Sequence, residues 1–122
     1  MKTSLIDEHK WKAFAEAFTR SHNGWLATLE LREGDAPARV AVDELPFRGA
    51  TIEKRGLRET LVLMFGDDAE EHFAHIIEQP RALKTIEAED FSEASLVIDL
   101  GDGSSCILEL SNPLIGDDFA EV

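Results

Sequence analysis

Cysteine is almost missing from this chain: Cys106 stands alone among 122 residues. One thiol closes no internal disulfide and builds no cysteine-rich zinc site, so a packed core has to hold the fold. Long hydrophobic runs are missing too. No stretch of about 18 apolar residues occurs, which excludes a membrane-spanning helix. The opening Met-Lys-Thr-Ser-Leu-Ile also lacks the roughly 7–15-residue apolar segment of a secretory signal. These absences predict a cytoplasmic protein with no membrane partner.

Positive charge is scarce as well. Twelve Lys/Arg face twenty-five Asp/Glu, a net charge of −13. Phosphate contacts require cations to replace released counterions, so a nucleic-acid ligand is not expected. The deficit is uneven. Residues 1–58 hold ten Lys/Arg and nine Asp/Glu, a net of +1, whereas residues 59–122 hold two and sixteen, a net of −14. Such a half keeps a protein soluble, and it also attracts a basic partner.

What remains is ordinary globular material, 43% hydrophobic and 30% charged. That apolar content offsets the entropy of ordering one domain of this length, so residues 1–122 read as a single domain. Residues 7–22 form an amphipathic helix, since Trp11, Phe14, Ala15, Phe18 and His22 share one stripe. Ser4 or Asp7 caps its start, and Asn23-Gly24 supplies its stop. His22 would then sit at the negative end of the helix dipole, where a protonated imidazole is favoured.

From Trp25 the period changes to two. Trp25, Ala27, Leu29 and Leu31 face one way, and a second run with Val40 and Val42 inward completes a hairpin over residues 25–44. Pro46 is expected to end or edge that strand. A third strand follows around Ile52, and a fourth, apolar on both faces, runs from Thr60 to Phe65. Residues 67–79 fit either a short helix or a strand. Alternation in Ala82 to Glu87, a natural pairing partner, favours the strand. Leu96 to Leu110 form a hairpin about Gly101-Asp102-Gly103. The acidic tail, 113–122, docks through Leu114, Ile115 and Phe119 or frays. A helix stripe and a sheet face must cover each other, which gives an α+β fold: an N-terminal helix on a curved, mostly antiparallel sheet of about six to eight short strands, expected to roll into a barrel-like form in so short a chain.

The Trp/Phe helix, the following His22-Asn23-Gly24-Trp25, the segment Leu45-Pro46-Phe47-Arg48-Gly49, then His75, Pro80 and Leu96 to Leu110 resemble a family of small uncharacterised bacterial proteins. The resemblance implies a bacterial origin and a self-contained domain. It brings no catalytic residues with it.

Chemistry is sparse. His72 and His75 with Asp68 and Glu71 carry the ligand types that divalent metals take. On a helix they would share a face, but on a strand the two imidazoles diverge, so no metal and no cofactor is expected. Cys106 falls on an inward strand position, a small core hydrophobe without an activating base. Gly101-Asp102-Gly103-Ser104-Ser105 lacks the following helix and lysine of a phosphate loop. No catalytic site is therefore predicted. The leading expectation is a non-catalytic interaction or assembly module whose acidic face meets a basic protein through Asp67, Asp68, Glu70, Glu71, Glu87, Glu89 and Asp90. Two rivals are a metal-dependent or hydrolytic enzyme built on Asp67 to His75, and an acidic nucleic-acid mimic.

Overall fold

The computed structural model describes residues 2–66 and 72–113. The chain begins with a strand that alternation did not reveal, β1 (Lys2–Ile6). Asp7 then accepts a hydrogen bond from the His9 amide at 3.2 Å and caps a 3-10 turn, Glu8–Lys10. The α-helix proper, α1 (Trp11–His22), starts after that turn, four residues later than the apolar pattern implied. Its stripe is as expected: Trp11, Ala15, Phe18 and His22 are buried. The Trp11 indole N–H donates to the Ile6 carbonyl at 3.1 Å, tying the helix start to β1.

Seven more strands follow: β2 (Leu26–Glu33), β3 (Arg39–Arg55), β4 (Arg58–Gly66), β5 (His72–Glu78), β6 (Ala82–Glu87), β7 (Glu93–Gly101) and β8 (Ser104–Ser111). They form one eight-stranded sheet in the order β1-β6-β7-β8-β2-β3-β4-β5, and every neighbouring pair is antiparallel. The α+β architecture is therefore as read from the sequence, but the sheet is open, with β1 and β5 at its ends, and does not close into a barrel.

Pro46 does not end a strand. β3 runs through it for 17 residues and changes partner there, pairing with β2 up to Pro46 opposite Leu26 and with β4 from Phe47 opposite Phe65. A residue without an N–H is tolerated at a changeover because one ladder has finished and the next has not begun. Register slips at Leu29/Glu30 and Phe47/Gly49 bend the strand further. The first slip also corrects a side-chain assignment. It places Val42 opposite Leu29 in the core but Val40 opposite Glu30 on the outer face, where Val40 is 57% exposed.

The strand reading of the histidine segment holds for 72–78; residues 67–71 lie outside the described residues. Its partner differs from the expected one. β5 pairs with β4, whereas Ala82–Glu87 pairs with β1 and β7. The β7–β8 hairpin is as expected, with Leu96 opposite Leu108 and Ile98 opposite Cys106, and all three turn residues at positive φ. The tail residues 114–122 also lie outside the described residues.

Inward residues of both parts of the sheet meet under α1. Phe47, Phe65, Leu29, Leu61, Leu63, Leu83, Leu96, Ile98 and Leu108 are fully enclosed. Phe47 lies edge-on to both Phe18 of the helix, at 5.7 Å, and Phe65 of β4, at 6.1 Å. Such pairs add about 0.5–1.5 kcal/mol beyond burial. Removing a large aromatic from this core leaves a cavity, so Trp11→Ala should cost about 3–5 kcal/mol. Lys12→Ala, on the exposed side of the same helix, should stay within about 0.5 kcal/mol of wild type. Urea unfolding of the two variants measures both.

Candidate functional site

A concavity lies on the outer face of β2, β8 and β7, the face turned away from α1. It is a half-open groove of about 470 Å³. Sheet register builds it in two rows. Thr28, Glu109 and Ser95 stand side by side across β2, β8 and β7, with Leu26, Ser111 and Glu93 in the next row. Glu44 of β3 completes the rim. Its backbone adopts a left-handed φ of 50°, and its amide donates to Thr28 Oγ1 at 3.4 Å. Three carboxylates therefore line one groove, with hydroxyls between them and no Lys or Arg among the lining residues. Chemically this is a hydrogen-bond-accepting, anionic surface. It suits ammonium or guanidinium groups.

The acidic residues singled out from the sequence are placed differently. Asp67, Asp68, Glu70 and Glu71 lie outside the described residues. Glu87 ends β6, half-buried, and its charge reaches His22. Glu89 and Asp90 are exposed in the turn between β6 and β7, just before Glu93 of the groove. Asp90 is engaged in that turn: its carboxylate accepts from the Ser92 hydroxyl at 2.6 Å and the Ser92 amide at 3.0 Å, which holds its pKa below the usual carboxylate value. The groove's own Glu44, Glu93 and Glu109 were not foreseen as contacts. Glu109 was legible, since it is the outward residue between inward Leu108 and Leu110. Glu44 was not, because its position depends on the slipped register of β2 and β3.

β5 separates the two histidines. His72 lies opposite Gly66 and His75 opposite Leu63; three residues apart on a strand, they project from opposite faces. His75 lines a second cleft of about 250 Å³ with Leu31, Ile77, Leu100 and Cys106. Burial pushes the His75 imidazole below its ordinary value and the Cys106 thiol above its own. Both shifts favour neutral groups. A thiol nucleophile needs the opposite, a thiolate stabilised by a nearby cation or helix N-terminus.

His22 also departs from expectation. Its burial on the stripe is as expected but its charge is not: it is a buried ring between Phe18, at 4.2 Å, and Trp25, at 4.6 Å, rather than a cation on the helix dipole. Its Nδ1 lies 2.9 Å from the Phe18 carbonyl, which can only accept, so that nitrogen carries the proton. Burial lowers its pKa, outweighing the opposing pull of the Phe18 carbonyl and the Glu87 charge.

One helix on an open antiparallel eight-stranded sheet, with an acid-lined groove on the sheet's outer face, defines a small α+β protein. The chain belongs to a family of unknown function, DUF5335, whose model matches residues 2–119. No curated protein and no solved structure matches it. Among the described residues no helix is long and apolar enough to cross a membrane.

Two outcomes follow from the histidine geometry. His22 and His75 are both harder to protonate folded than unfolded, so the unfolded chain gains protons first as pH falls below the ordinary value of 6.5. Stability should therefore be complete well above that value and decline as pH falls through it toward the lowered folded values, with a shallower decline in His22→Gln. Urea midpoints across that range measure the slope. Divergent His72 and His75 should not chelate: Zn²⁺ or Mn²⁺ should leave the melting temperature unchanged in wild type and in His72→Ala alike, with no stoichiometric metal by elemental analysis.

Proposed function

We propose that this chain is a non-catalytic interaction module that binds a basic protein segment through its acidic outer face. The observation that carries the reading is the groove on β2, β8 and β7, where Glu44, Glu93 and Glu109 converge with no cation among the lining residues. Glu89 and Asp90 extend the negative surface at the adjoining turn. In a protein whose second half is nearly devoid of Lys and Arg, these charges act in concert over a Debye length of about 8 Å at physiological ionic strength. A Lys/Arg-rich segment would be steered to the groove and held by charge-assisted hydrogen bonds.

The enzymatic reading has less support. Its imidazoles project from opposite faces of β5, and the enclosed Cys106 thiol is shifted away from the reactive anion.

Binding of a fluorescent Lys/Arg-rich peptide, followed by anisotropy at low and high salt, tests the proposal. Wild type should bind at low salt and weaken as salt rises. Glu44→Gln/Glu93→Gln/Glu109→Gln should lose about tenfold or more in affinity, which is roughly 1.4 kcal/mol. Neutralising Asp67, Asp68, Glu70 and Glu71 instead should cost less. Equal binding by wild type and the groove variant would refute the assignment.

A further inference from the structure

An open sheet has exposed edges, and natural proteins protect them with charge, proline, bulges, shortness or a covering element. Among the described residues, each edge of this sheet but one carries such protection. β1 is five residues long and begins with Lys2. The first half of β3, paired only with β2, carries Arg39, Asp43, the left-handed Glu44 and Pro46. In the second half of β3, the side turned away from β4 is taken by the helix and the loop after it: Thr19 Oγ1 accepts from the Ala50 amide at 2.9 Å, the Gly24 amide donates to the Phe47 carbonyl at 2.7 Å, and the Phe47 amide donates to the Trp25 carbonyl at 2.7 Å. Beyond Ala50 that edge carries Glu53, Lys54 and Arg55.

β5 is the exception. Its sequence, His-Phe-Ala-His-Ile-Ile-Glu, contains no Lys, Arg, Pro or Gly, and its ladder with β4 has no register slip. Among the described residues β4 is its one strand neighbour, and Phe73 to Glu78 make no backbone hydrogen bond on the other side. The apolar surface here is also incompletely covered. Phe73, stacked on Phe65 at 5.6 Å, remains 39% exposed, and Ile76 on the opposite face is 61% exposed.

We propose that β5 is a self-association edge, on which a second copy of this chain pairs antiparallel about a twofold axis through His75, joining two sheets into one. An isologous contact must be self-complementary. The register centred on His75 meets that requirement over Phe73 to Ile77: Phe73 faces Ile77 of the other copy and Ala74 faces Ile76, and Glu78, the one carboxylate of β5, lies away from the axis, so no two carboxylates oppose each other. The two His75 rings that meet at the axis are biased to the neutral form at pH 7. Charge favours this edge over the acidic parts of the surface. Two chains each carrying −13 repel, and β5 has one formal charge along its length, at its last residue. The contact uses none of the groove's carboxylates, so it stands or falls separately from the proposed function.

Analytical ultracentrifugation over rising concentration, combined with hydrogen exchange, tests this. Wild type should reach twice the chain mass, and the amides of Phe73 to Glu78 should become protected in step with dimer. Ile76→Lys, a charge at an exposed edge position, should be monomeric with an unchanged melting temperature, while Val40→Lys, on the protected β3 edge, should dimerise like wild type. Should Ile76→Lys fail to fold, the concentration dependence of wild-type exchange still decides. A monomer at every concentration, a dimer that survives Ile76→Lys, or protection of Phe73 to Glu78 that does not depend on concentration would each overturn the proposal. The last result would mean that another part of the same chain covers the edge.

Discussion

The fold depends on what happens where β3 leaves β2. A strand that exchanges one neighbour for another abandons the hydrogen-bonding groups on the side it turns from, and buried backbone groups without partners are costly. Here α1 and the loop after it take the place of a strand. Gly24 and Trp25 bond the two backbone groups of Phe47, and the Thr19 hydroxyl bonds Ala50 while also lying 2.8 Å from the Ala15 carbonyl. Close approach is part of the arrangement. At Gly49 a Cβ would stand 3.0 Å from Thr19 Cγ2, so this position is best left without a side chain. The helix is thus a cover for the core and a polar partner for the sheet.

That joint explains the environment of the aromatic residues. Fixing Phe47 beneath Phe18 requires the helix end to turn directly over the core, and His22, one turn after Phe18, is carried inside with it. A glycine at a φ of 91° then reverses the chain so that Trp25 closes over the imidazole. The cost of enclosing an imidazole is limited because its Nδ1 finds the Phe18 carbonyl and its ring can be neutral near pH 7. His22 is a packing residue by consequence of where α1 must end.

Features set by local chemistry were legible in the sequence, and features set by pairing were not. The stripe from Trp11 to His22, the alternation of β2 and the β7–β8 hairpin all follow from spacing within one element. β1 escaped because its five residues, Lys-Thr-Ser-Leu-Ile, do not alternate cleanly, and only β6 gives them a reason to be a strand. The continuity of β3 escaped because Pro46 is a breaker in isolation and a changeover point in this sheet. The expected pairing of residues 72–78 with Ala82–Glu87 followed from closeness in sequence, yet sheet order places those strands far apart. The candidate groove was half legible for the same reason: Glu109 from alternation, Glu44 only from the bulged register.

Charge and edge are then two separate resources of one sheet. Because α1 and the inward residues consume one face, the acidic excess can occupy outward positions without desolvation, as Glu109 does between two enclosed leucines. The groove lies on strands in the middle of the sheet order, whereas β5 lies at its end with β3 and β4 between. An occupant of either surface therefore leaves the other open.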